Sequence, residues 1–142
     1  MTFTNAYAAH QPKDQVKPFK IKRRTIGKED VQIDIEYCGV CHTDLHFVNN
    51  DWGMTQYAVV PGHEIVGKVS AVGDSVNKFQ VGELAAIGCM VNSCGECSSC
   101  TQGMEQYCQS GFVGTYNHPT DDPGGLTFGG YSKRIVADEN FI

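Results

Sequence analysis

The sequence has no apolar run approaching the ~20 residues that a helix needs to cross a bilayer, which excludes a helical membrane span. Its start, Met1-Thr2-Phe3-Thr4-Asn5-Ala6, lacks the basic opening and apolar core of a secretory signal. Positive charge is scarce: 11 Lys and Arg stand against 16 Asp and Glu, a net charge of −5. The one basic run, Lys20-Ile21-Lys22-Arg23-Arg24, alternates as a strand does, with Arg23-Arg24 reading as a solvated strand end. A mildly acidic surface argues against a nucleic-acid partner. There is no internal repeat and no low-complexity tract. Nor is there a Gly-x-Gly-x-x-Gly fingerprint. Gly124-Gly125-Leu126-Thr127-Phe128-Gly129-Gly130 has the wrong spacing and follows no strand-to-helix turn. Gly62-His63-Glu64-Ile65-Val66-Gly67-Lys68 imitates a phosphate-binding loop until Val69 stands where a Ser or Thr is required.

What is present is enough to fold. The 142 residues are 41% hydrophobic and 19% charged, which suits one domain, 1–142, with its own core. The last residues leave a strand abruptly, as a cut chain would. The cytoplasm is the expected compartment, where seven cysteines suggest metal rather than disulfides.

Cys94, Cys97, Cys100 and Cys108 are separated by two, two and seven residues. Two-residue gaps let a tight turn aim successive sulfurs at one point. Four such sulfurs satisfy a tetrahedral Zn²⁺ and leave no position open for substrate, so a lobe of about 89–112 reads as a structural zinc site. Two disulfides would need an oxidising compartment. A ferredoxin-type iron–sulfur cluster would need a three-residue last gap and a proline, whereas the gap is seven and Gln109 follows.

Alternating patterns predict strands over Phe19–Arg23, Asp30–Tyr37, Glu64–Val72, Leu84–Val91 and Tyr131–Ala137, with a short first strand within residues 1–17. In the second of these, Val31, Ile33, Ile35 and Tyr37 should share a face. A short helix is predicted from Cys41 to Val48, and residues 114–130 read as a long loop. Many short strands with turn signals between them give a mainly β fold, a barrel or sandwich with little helix. Cys38 should pack as a small apolar residue, Trp52 should line a pocket or interface, and His10, His118, Asp121 and Asp122 should be solvated.

A second set of ligands is spread along the chain. Cys41 opens the helix after a glycine turn, and His63 opens a strand after Pro61-Gly62. Glu64 is a third donor. Asp44, one helical turn past Cys41, could accept the second imidazole N–H of His63. Thr43 and His46 are a hydroxyl and an imidazole spaced to pass a proton. His42 and His46, four apart, could instead bind a metal across one helical turn, and a lone Cys and a lone His could simply be packing residues.

Gly39-Val40-Cys41-His42-Thr43-Asp44-Leu45-His46, Val60-Pro61-Gly62-His63-Glu64, and Gly88-Cys89-Met90-Val91 with the cysteine lobe together resemble the zinc-dependent alcohol dehydrogenases of the medium-chain dehydrogenase/reductase superfamily. Gly114-Thr115-Tyr116-Asn117 and Gly129-Gly130-Tyr131-Ser132 place the resemblance in the cinnamyl alcohol dehydrogenase-like branch with its bacterial aldehyde reductases. The resemblance implies a GroES-like, partly closed β-barrel. It makes Cys41, His63 and Glu64 the catalytic zinc residues, Asp44 their supporting carboxylate, Thr43 and His46 the proton relay, and His42 the contact to cofactor phosphates. It puts Phe47, Trp52, Met54 and Cys89 in the substrate pocket. It implies interconversion of primary alcohols and aldehydes with NADP(H), small alcohol or aldehyde partners, and allows a homodimer of a longer protein. The family's third cysteine ligand and its nucleotide-binding domain have no counterpart here, so the isolated chain is expected to be inactive. A zinc-stabilised GroES-like binding module without chemistry is the alternative. Glu83 stands where relatives often carry aspartate.

Overall fold

The computed structural model describes residues 2–142; Met1, in the segment expected to begin the first strand, lies outside them. Those residues are mainly β with one α-helix. β1 (Thr2–Ala8) pairs antiparallel with β2 (Lys17–Arg23). A four-stranded antiparallel sheet, in the order β5-β4-β3-β8, joins β3 (Asp30–Cys38), β4 (Ile65–Val72), β5 (Leu84–Ile87) and β8 (Arg134–Asp138). A third small sheet pairs β6 (Met90–Asn92) with β7 (Val113–Gly114). Helix α1 spans His42–Asn49.

The predicted barrel is not closed. The backbone just ahead of β8 links the first two sheets. Tyr7 N–H donates to Tyr131 O at 2.8 Å, Lys133 N–H to Asn5 O at 2.9 Å, and Ile35 N–H to Lys133 O at 3.0 Å. One belt therefore runs β2, β1, residues 131–133, β3, β4, β5, and stops with β2 and β5 at its ends. Its core is Val31, Ile33, Ile65, Val69, Ala85, Ile87, Ile135 and Ala137. Ile33, Ile65 and Ile135 are almost wholly buried, each a contribution of about 1.5–3 kcal/mol.

Three expectations need correction. Tyr37 does not share the face of Val31 and Ile33; it is 73% exposed. The β3–β4 register shifts between Ile35 and Tyr37, so the alternation inverts and Cys38 packs inward instead. The apolar stretch 84–91 is not one strand. It breaks at Gly88-Cys89, and its halves join different sheets. Arg23 is not solvated. Only 8% exposed, its guanidinium donates to Arg134 O at 2.8 Å, Phe128 O at 2.6 Å, Gly129 O at 3.0 Å and Ser132 Oγ at 2.9 Å. Burial pulls it down to about 9, which still leaves it protonated at neutral pH. Two further residues expected in solvent are engaged as well. Asp122 pairs with Arg24 at 3.3 Å, and His118 stacks on Phe112 with ring centroids 5.7 Å apart.

Candidate metal centres

The cysteine lobe is the excursion between β6 and β7. Its four sulfurs lie within 4.8 Å of one another. Cys94 Sγ is 3.9 Å from Cys100 Sγ, and Cys97 Sγ is 3.5 Å from it. Sulfurs bound at ~2.3 Å around a tetrahedral zinc would be about 3.8 Å apart, so the cage has the right size. Backbone donors already face it. Cys97 N–H points at Cys94 Sγ (3.4 Å), Gln109 N–H at Cys97 Sγ (3.4 Å) and Cys94 N–H at Cys108 Sγ (3.5 Å). The Gln109 N–H and its neighbours bring the Cys97 thiol down to about 6. Cys100 moves the other way: against the Ser93 hydroxyl, burial and the adjacent sulfurs push it up to about 11. Sulfurs this close cannot all be thiolates unless a cation sits among them, and that charge requirement fits Zn²⁺.

The second centre is assembled by the β3–β4 ladder. Cys38 pairs with Ile65 at the ladder's end, and Gly39 N–H continues it to Glu64 O at 2.9 Å. Cys41 lies three residues beyond one strand and His63 two residues before the other, so both emerge at the same rim. The donor atoms of Cys41, His63 and Glu64 lie within 4.8 Å of one another. One sulfur, one imidazole nitrogen and one carboxylate form a donor set suited to zinc. Cys41 and His63 are half-buried and Glu64 is exposed, so the group is open to solvent on one side.

Asp44 holds this arrangement, though not in the way expected. It is 2% exposed. Its carboxylate accepts Gly62 N–H at 3.0 Å, Cys41 N–H at 2.9 Å and the Tyr131 hydroxyl at 3.2 Å. Among the described residues it makes no hydrogen bond to His63. It therefore fixes the backbones that carry Cys41 and His63 rather than the imidazole itself. Gly62, at φ +99°, has no room for a side chain: a Cβ there would lie 2.7 Å from both Cys38 Sγ and Tyr131 Cδ1.

On α1, His42 is exposed and stacks on His46 with centroids 4.6 Å apart. Thr43 is half-buried and makes no hydrogen bond to His46. His46 Nδ1 instead pairs with Asp51 at 2.7 Å. Phe47 is buried edge-on against Trp52 (5.4 Å) and Tyr116 (5.0 Å). Trp52 and Met54 are more than half exposed and Cys89 is exposed, so these expected pocket residues stand on an open surface rather than around a cavity. A cavity of about 370 Å³ lies elsewhere, beside Tyr7, Val16, Cys38 and Tyr131.

Sequence reasoning missed Tyr116 and the role of Tyr131. Tyr116 is 4% exposed, its ring is 5.5 Å from that of His63, and its hydroxyl, near Asp44, makes no well-formed hydrogen bond among the described residues. Burial and the nearby Asp44 charge push its acidity constant far up. Both tyrosines sit in glycine-flanked segments, a pattern that marks close backbone approach without naming what is approached.

Known proteins similar to this chain agree on its family. The family described as Alcohol dehydrogenase GroES-like domain matches residues 27–142. The chain belongs to that family. It is 52% identical over 137 residues to aldehyde reductase YahK of Escherichia coli, covering 96% of this chain and 38% of that protein. A cinnamyl alcohol dehydrogenase from Sorghum bicolor superposes with a TM-score of 0.94 at 40% identity, over 99% of this GroES-like chain and 40% of its own. A CAD from Helicobacter pylori, solved with NADP(H), gives a TM-score of 0.92 at 38% identity, over 98% and 40%. The chain thus spans about two fifths of the length of these proteins.

Proposed function

We propose that this chain is the metal-bearing catalytic domain, residues 1–142 with a zinc lobe at about 89–112, of an NADP(H)-linked alcohol dehydrogenase or aldehyde reductase acting on small alcohols and aldehydes. The observation that carries this is the meeting of Cys41, His63 and Glu64 within 4.8 Å from segments separated by more than twenty residues of sequence. Cys41 and His63 would hold a catalytic zinc with Glu64 able to approach it, and Cys94, Cys97, Cys100 and Cys108 would hold a structural one. When bound, the catalytic metal supplies a Lewis acid for the substrate oxygen, and NADP(H) supplies or accepts the hydride.

The chain's own groups do the rest. Asp44 keeps the Cys41 and His63 backbones in register. Thr43, two residues past Cys41, takes or returns the proton at the substrate oxygen, and His46, braced by Asp51 and not bonded to Thr43, would receive it through an intervening water or hydroxyl. His42, on the exposed face of α1, meets the cofactor phosphates. Trp52, Met54 and Cys89, on the open surface beside Phe47, would face the substrate in the longer protein. No described helix is long and apolar enough to cross a membrane. We assign the protein to the cytoplasm without nucleic-acid partners, and the reading allows a homodimer of its longer form.

Metal analysis by mass spectrometry tests this. The chain should carry about one tightly held zinc, and a longer protein that includes the remainder found in the relatives about two. Equal zinc in both refutes the division into structural and catalytic sites. In the longer protein Thr43→Ala should abolish most turnover at unchanged metal content.

A further inference from the structure

Arg23 ends a strand whose lysines, Lys17, Lys20 and Lys22, are exposed, yet its own side chain is buried and its four hydrogen bonds all go to residues 128–134. None goes to a carboxylate. Taking a cation out of water is costly; the return here is that three backbone carbonyls, of Phe128, Gly129 and Arg134, find a donor. Most of the gripped segment lies ahead of β8 and outside regular structure.

The amide side of the same segment is spent on the loop that delivers His63. Gly129 N–H donates to Val60 O at 2.8 Å, Gly130 N–H to Gly62 O at 2.8 Å, and Tyr131 N–H to Pro61 O at 2.9 Å. The fit has no slack: a Cβ on Gly129 would lie 2.3 Å from Pro61 O, and one on Gly130 would lie 2.4 Å from Ile65 Cγ1. From this segment the Tyr131 hydroxyl also reaches Asp44, which receives the amides of Gly62 and Cys41. His63 and Cys41 are therefore both suspended from one short stretch of chain, and the guanidinium closes it from behind. None of the Arg23 hydrogen bonds reaches the cysteine lobe.

We propose that Arg23 is a positioning residue for the Cys41–His63 pair, acting through residues 128–132 to set the distance between the two donors. This rests on the reading that the pair holds a metal. A guanidinium suits the task because its planar fork satisfies several carbonyls in fixed directions; an ammonium of equal charge cannot. The role predicts a local effect, whereas a general contribution to folding would weaken both metal centres alike.

The test uses Co²⁺, whose thiolate absorption reports cysteine ligation. The lobe is first filled with zinc, and cobalt is then titrated into wild type, Arg23→Lys and Arg23→Met. Wild type should show a second, weaker site. Arg23→Lys should bind that cobalt about tenfold more weakly, in line with losses seen when groups supporting metal ligands are removed, and should retain its zinc. Amide exchange should accelerate at Gly62, Gly130 and Tyr131 in the Lys variant and stay unchanged across β3 and β4. Unchanged cobalt affinity in Arg23→Lys overturns the inference while leaving the metal assignment standing. Loss of lobe zinc in Arg23→Lys also overturns it, by showing a global role. No second cobalt in wild type overturns the metal assignment and this inference with it. Arg23→Met should go further in the same direction; cobalt binding equal to wild type there refutes the role outright.

Discussion

Replacing Asp44 tests the architecture of the open centre most sharply. Its carboxylate receives three donors, and one of those bonds, from Gly62 N–H, is fully buried. Asp44→Ala leaves all three without a partner. A stranded buried donor costs about 1–3 kcal/mol, and the Cys41 and Tyr131 donors, being partly exposed, fall at the low end. The expected loss is about 3–5 kcal/mol, a large part of the roughly 5–15 kcal/mol that holds a domain of this size together. Asp44→Asn keeps the shape. Its oxygen can still accept from Gly62, but its NH₂ then faces the Cys41 N–H, donor against donor, so about 2–3 kcal/mol should be lost. Urea unfolding of the zinc-loaded protein, followed through the sole tryptophan, Trp52, measures both. Asp51→Asn is the control. That carboxylate is exposed and, among the described residues, pairs with His46, so its loss should cost less than about 1 kcal/mol. If Asp44→Asn costs no more than Asp51→Asn, Asp44 is not the clamp described above.

Two further predictions concern single groups. Tyr116→Phe removes a buried hydroxyl that lies near the Asp44 carboxylate but makes no well-formed hydrogen bond among the described residues, so stability should change by less than about 1 kcal/mol; a larger loss in the same urea assay would show that the hydroxyl is a working donor to Asp44. Glu139 accepts the N–H groups of Lys78 and Asn77 at 2.9 and 3.0 Å, and these hold its carboxyl below its ordinary 4.5. Because the folded value is the lower one, its contribution is complete above pH 4.5 and is lost as pH falls through the folded value. The stability gap between wild type and Glu139→Gln should therefore be largest at neutral pH and close in acid; a gap that is constant with pH refutes the assignment.

Much of this was legible in the sequence because it is local. The cysteine spacing defines a cage that closes within its own loop. The alternation of Val31 and Ile33 needs only the period of a strand. Cys41 and His63 sit beside turns whose glycines are visible in one dimension. The rest depends on what the chain meets elsewhere. Tyr37 faces solvent because of a register shift against β4, which no pattern within β3 encodes. Arg23 looks like a surface charge until residues 128–134, more than a hundred positions away, fold over it. Asp44 was expected to face an imidazole because of its spacing from Cys41, yet the nearest donors turned out to be backbone amides and Tyr131.

The pairing of β6 with β7 has one more consequence. Asn92 and Val113 are partners across a ladder, so the two feet of the cysteine-rich excursion touch. A tight turn could bridge them with residues 93–112 removed, leaving the rim that carries Cys41 and His63 where it is. The lobe is thus an insert on a closed base, its shape set by contacts among its own sulfurs and amides rather than by the reactive rim.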